Sequence, residues 1–155
     1  MGTYFNPDGE AFRKMIQSEI YVDKTGLLNY TNSVLNTMQG YLCISRPRRF
    51  GKSMAANMLA AYYSRESRAE ELFSGFEISE SPDFQKYANQ YNTIFLNMQD
   101  FLSQSGNVAE MIALLQKSVL WELLGEYPDF RYFDETNLAR TMQDVYQQTK
   151  IPYVI

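Results

Sequence analysis

Tyr41-Leu42-Cys43-Ile44-Ser45 runs into Arg46-Pro47-Arg48-Arg49-Phe50-Gly51-Lys52-Ser53, and then into a segment where Met54, Met58, Leu59, Ala61 and Tyr62 recur at helical spacing. The short apolar run behind Gly40 has the length and composition of a buried strand. Residues 51–63 read as a helix. Strand, turn and helix are the setting of the phosphate-wrapping pattern G-x-x-x-x-G-K-[ST], and Gly51-Lys52-Ser53 supplies its end, with Arg46 where the first glycine belongs. In such a loop the backbone N–H groups surround the phosphates, the lysine reaches the β- and γ-phosphates, and the hydroxyl binds Mg²⁺. Those roles fall to the turn ending at Gly51, to Lys52 and to Ser53. The helix opening there adds unpaired N–H groups and the positive end of its dipole.

Arg46, Arg48, Arg49 and Lys52 crowd like charge into one turn, an unfavourable arrangement unless an anion neutralises it. Phosphate is the natural counter-charge. A solvated basic patch or a contact with nucleic-acid backbone accounts for the same residues, because phosphate of either origin suits a guanidinium.

Outward from this stretch, apolar and turn signals alternate. Tyr21-Val22-Asp23-Lys24-Thr25 precedes a helical run in which Leu27, Leu28, Tyr30, Thr31 and Leu35 share a face. Ser67 followed by Glu70 has capping-box form and predicts a short helix over 68–73 that stops near Gly75. Ser81-Pro82 predicts another over 83–88. Residues 93–98 are the second strand candidate, β-branched and aromatic at their start. Asn107 with Glu110 opens a helix with an apolar stripe of Val108, Met111, Ile112, Leu115, Val119 and Leu123, ending near Gly125 and Pro128. A helix over about 135–148 places Leu138, Met142 and Val145 together, and 151–155 reads as a strand entered through Pro152. Strands separated by long helical stretches predict α/β architecture, a parallel sheet covered by helices.

Composition narrows the chemistry. A chain of 155 residues, 45% hydrophobic and 15% aromatic, suits one ordinary core, and no repeat or linker marks an internal boundary. There is no histidine and a single cysteine, Cys43, which excludes an internal disulfide, Ser-His and Cys-His pairs and the usual zinc sets. Catalysis is left to carboxylates, Lys, Arg or bound Mg²⁺. Cys43 and Trp121 read as packing residues, Trp121 in the core or on a partner surface. The net charge of −4 opposes a surface devoted to nucleic acid. No apolar run suits a membrane span, and the N-terminus lacks a secretory pattern; Gly2 follows Met1, but Asn6 stands where myristoylation wants Ser or Thr. The expectation is a soluble, cytoplasmic protein.

Residues 21–25, followed by Arg46-Pro47-Arg48-Arg49-Phe50-Gly51-Lys52-Ser53, resemble the AAA-ATPase-like family of bacterial P-loop proteins. That family writes arginine where other P-loops have their first glycine. The resemblance implies a P-loop NTPase-type fold over 1–155, with ATP and Mg²⁺ as ligands. The nucleotide-contacting candidates are Arg46, Arg48, Arg49, Phe50, Gly51, Lys52, Ser53 and Met54, with Lys52 catalytic and Ser53 the metal ligand. It also implies that Asp23 and Lys24 lie near the adenine, against the alternative of an exposed ion pair. For Asp100, which follows the second strand candidate, approach to the site competes with a capping role.

Similar proteins continue into Walker B acidic residues and often into a PD-(D/E)xK nuclease-like effector domain. The resemblance therefore implies an N-terminal portion that binds nucleotide and hydrolyses it poorly. It also implies that 41–45 lacks its neighbouring strands, which invites self-association. Three functions stay open: an ATPase coupled to an effector domain, a non-hydrolysing nucleotide-binding or interaction module, and a nucleic-acid backbone binder through 46–49.

Overall fold

Helix formation over 51–63 holds, and the C-terminal half of that helix organises one body of the protein. The computed structural model describes residues 2–45, 47–49 and 51–155, so the expectations for Arg46 and Phe50 lie outside the described residues. The chain forms two compact units, Asp8–Gln90, and Met1–Pro7 with Tyr91–Ile155.

The first unit contains α1 (Glu10–Ile16), α2 (Gly26–Val34), α3 (Lys52–Tyr63), α4 (Ala69–Leu72), a 3₁₀ turn (Glu77–Glu80) and α5 (Phe84–Tyr87). Met58, Ala60, Ala61, Tyr62 and Tyr63 of α3 are buried. Around them Phe12 stacks on Phe73 at 4.8 Å between centroids, and Tyr62 meets Phe73 and Phe84 edge-on. Burying a phenol is favourable only if its hydroxyl finds a partner. Asn32 of α2 donates to Tyr62 Oη at 3.1 Å and accepts from Tyr63 Oη at 2.8 Å, while Thr31 Oγ1 lies 2.6 Å from Tyr63 Oη. These bonds pin α2 to α3.

Short helices form after both Ser67 and Ser81, but neither serine caps them with its side chain. Ser67 Oγ donates to the carbonyls of Ala61 and Ser64 instead of capping α4, whose first amide, Ala69 N, donates to the Asn89 side chain at 2.9 Å. Asp83, without a side-chain cap, precedes α5, and Ser81 contributes only its carbonyl to Phe84 N.

The second unit holds a two-stranded parallel sheet, β1 (Asn92–Thr93) against β2 (Tyr153–Val154), in the register Asn92↔Tyr153 and Thr93↔Val154. Phe5 bridges Ile94 in antiparallel fashion on the other side of β1. Between the strands come α6 (Met98–Ser103), α7 (Val108–Glu126) and α8 (Leu138–Thr149). Asn97, Asn107 and Asn137 cap them by accepting from Gln99 N, Glu110 N and Arg140 N. Of the second strand candidate, 93–98, only Thr93 lies in a strand and Ile94 in an isolated bridge; Asn97 already caps α6, and Met98 is its first residue. Phe5, Ile94, Val119, Leu123 and Val145 form the core, with Leu115, Leu138 and Met142 packed against it. The stripe expected on α7 is thus buried only in its C-terminal part; Val108 and Ile112 stay exposed. Glu122 fixes the N-terminal segment by accepting from Thr3, Tyr4 and Phe5 N–H at 2.8–2.9 Å.

Mixed helices with a small parallel sheet agree with the α/β expectation, with one correction. Residues 41–45 form no strand and are exposed, Tyr41 at 99%. A strand needs hydrogen-bonded neighbours, and among the described residues none pairs with this run. Cys43 is accordingly exposed, not buried. Trp121 is 77% exposed, a surface residue. Among the described residues no helix is long and apolar enough to cross a membrane.

Candidate phosphate-binding site

The site is built from the start of α3 and from the segment before α2. Arg49 and Gly51 both adopt left-handed backbone, with φ of 67° and 79°. Only glycine takes that region without steric penalty, which gives Gly51 a conformational reason to be there. Gly51 is the N-cap of α3; its carbonyl accepts from Ala55 N at 2.9 Å, and no side chain caps the helix. The opening amides of a helix have no partner of their own, so this end presents donors and partial positive charge.

Lys52 and Ser53 open α3 exposed, and Lys52 Nζ turns back to donate to the Pro47 carbonyl at 3.2 Å. Arg48 and Arg49 are exposed in the turn before it. Met54 is 39% exposed and, with Ile20, Tyr21, Val22, Lys24, Ala55 and Met58, lines a cavity of about 190 Å³. The structure therefore gathers the described candidates Arg48, Arg49, Gly51, Lys52, Ser53 and Met54 at one helix end.

Segment 21–25 meets that end, which local sequence reading does not reveal. Asp23 Oδ1 accepts from Thr25 N and Thr25 Oγ1 at 2.8 and 2.7 Å, and Oδ2 accepts from Glu77 N at 2.9 Å. Thr25 Oγ1 in turn accepts from Ile78 N at 3.2 Å. Burial raises the Asp23 pKa, but the N–H and O–H bonds from Glu77 and Thr25 outweigh it and leave the carboxyl below its ordinary value. Asp23 is thus a brace between distant segments and not half of an ion pair with Lys24. The Asp-x-Thr spacing is the signal that marks such a turn. Tyr21 packs edge-on against Phe12 and Phe76 at 6.1 and 5.3 Å, and burial, followed by the Asp23 charge, raises its pKa.

Lys24 projects from this braced turn to α3: a Cβ added to Gly51 would lie 3.5 Å from Lys24 Nζ. Asp100 lies in the first turn of α6, exposed, its N–H donating to the Asn97 carbonyl, and the side chain that caps this helix is that of Asn97. Among the described residues no group of three or more His, Cys, Asp or Glu side chains forms a metal site.

An uncapped helix opening on Gly-Lys-Ser, with basic side chains around it, is an arrangement chemically suited to an anion. The chain belongs to the AAA-ATPase-like family, described as predicted AAA-ATPase, whose family model matches residues 9–155. No curated protein and no solved structure matches it. Family membership supports a nucleotide-binding, ATPase-type role.

Proposed function

We propose that the chain binds ATP with Mg²⁺ at the start of α3, as the nucleotide-binding part of an ATPase that drives an attached effector domain. The observation that carries this reading is the helix opening on left-handed Gly51 with no side-chain cap, followed directly by Lys52 and Ser53. The donor set fits the ligand: backbone amides and ammonium groups for phosphate oxygens, and a hydroxyl at Ser53 for the ion. Bound Mg²⁺ would neutralise charge on the phosphates. Lys52 would exchange the Pro47 carbonyl for phosphate oxygens, a stronger, charge-assisted partner. The cavity beside Met54 and Tyr21 offers apolar walls to the base.

The test is a thermal melt of the chain with and without ATP and Mg²⁺. A ligand that binds only the folded state raises the melting temperature by mass action, about 2.7 kcal/mol at a hundred times Kd. Lys52→Ala is expected to melt like the parent without ligand and to lose the shift. A mutant that shifts as the parent does contradicts the assignment. Binding of nucleic acid that weakens steeply with salt, in place of an ATP shift, would favour the backbone-binding reading.

A further inference from the structure

We propose that Lys24 is a second phosphate-contacting cation of this site, presented by the Asp23–Thr25 turn; the inference rests on the nucleotide reading above. The resemblance placed Lys24 near the base, but its ammonium stands at Gly51, 3.5 Å from where a Cβ would be, at the positive end of α3. Lys24 also lines the cavity beside Met54.

The neighbouring carboxylate does not neutralise it. Both oxygens of Asp23 are engaged by Thr25 and by Glu77 N. Arg13, Arg68 and Arg140 form salt bridges, and among the described residues none engages Lys24, Arg48 or Arg49. An ammonium held against a helix N-terminus that already carries Lys52 and two arginines is repelled by all of them. An anion between these groups turns that repulsion into attraction, and phosphate oxygens meet the ammonium, guanidinium and amide donors together. The brace from Asp23 and Thr25 to residues 77 and 78 fixes the turn, so less ordering entropy is lost when Lys24 engages.

Isothermal titration of the full chain with ATP·Mg²⁺ and, separately, with inorganic tripolyphosphate tests this on the parent, Lys24→Met, Lys24→Gln, Lys24→Arg and Lys52→Ala. Lys24→Met and Lys24→Gln are expected to weaken both ligands alike, about tenfold, with Lys24→Arg recovering most of the loss. Because Lys24 is exposed and stands among like charges, the melting temperature of Lys24→Met and Lys24→Gln without ligand should be no lower than the parent's. Weakened ATP with unchanged tripolyphosphate would put Lys24 on the base and overturn the proposal. So would parent-like affinity for both ligands in the Lys24 variants while Lys52→Ala abolishes binding, and in that case the nucleotide reading survives. Failure of the parent to bind either ligand would overturn both.

Discussion

Helices α3 and α7 begin in opposite ways. α7 starts from Asn107 in extended backbone, its side chain accepting from Glu110 N, and the Glu110 carboxylate accepts in turn from Asn107 Nδ2 and from Gly106 N. α8 repeats the device with Asn137. α3 starts from left-handed Gly51 with no side-chain cap and with Lys24 beside it. A cap closes a helix end by using its donors internally, at a gain of about 1 kcal/mol. The start of α3 forgoes that stabilisation, and its donors are left for something else. The lack of a cap does not by itself mark a site, since α1 also opens on a left-handed glycine, Gly9, without one; what sets α3 apart is that Lys52 and Ser53 follow directly and that Lys24 stands beside it.

The largest effect expected from breaking this arrangement lies in the brace behind Lys24. Asp23→Ala removes the acceptor of three hydrogen bonds, one of them to Glu77 N, and should cost about 2 kcal/mol of stability in urea unfolding and weaken ATP as well. Asp134 makes the same Asp-x-Thr turn with Thr136, but its carboxylate serves only that local turn among the bonds described. Asp134→Ala should cost less than half as much and leave nucleotide affinity unchanged.

Arg46 carries the next effect. Arg46→Gly restores the common loop pattern, yet it should weaken ATP about tenfold, because a planar guanidinium makes paired charged hydrogen bonds that a point charge cannot. Arg46→Lys should recover part of the loss by titration calorimetry, and equal affinity in parent and glycine variant would return Arg46 to a tolerated surface residue.

The two helix ends can then be set against each other directly. Gly51→Ala forces a side chain into φ of 79° and should cost about 1 kcal/mol while weakening ATP. Asn107→Ala should cost a similar amount of stability without touching ATP affinity. Loss of ATP binding in the Asn107 variant would break the distinction between the helices.

The smallest effect is on acid stability. The Asp23 pKa is lower in the folded protein than in the unfolded chain, so its contribution is present at neutral pH and is lost as pH falls through the folded value, below about 4. Melting temperature measured down this range should fall less steeply in Asp23→Asn than in the parent.

Much of this was legible in the sequence where signals are local. Asn107 with Glu110, and the apolar spacing that follows, marked α7; Leu138, Met142 and Val145 marked α8; Pro152 preceded β2. Local signals misled where a distant group competed for the same atom. Ser67 was drawn from its capping role by the Ala61 carbonyl at the end of α3, and Asn89 took its place. Residues 41–45 have strand composition, but composition supplies no neighbour, and the run stays unpaired and exposed. Within the site, Gly51-Lys52-Ser53 was read from its motif. The role of Asp23 was not, because a bond to Glu77 spans a separation in sequence that no local pattern reports.

The measurement that most directly tests whether the uncapped start of α3 takes phosphate is an amide NMR titration with ATP·Mg²⁺. The largest shifts are expected at Gly51, Lys52 and Ser53, with the amides that open α7, the capped Glu110 among them, unmoved; shifts spread evenly over both helix starts, or absent from α3, would contradict phosphate binding there.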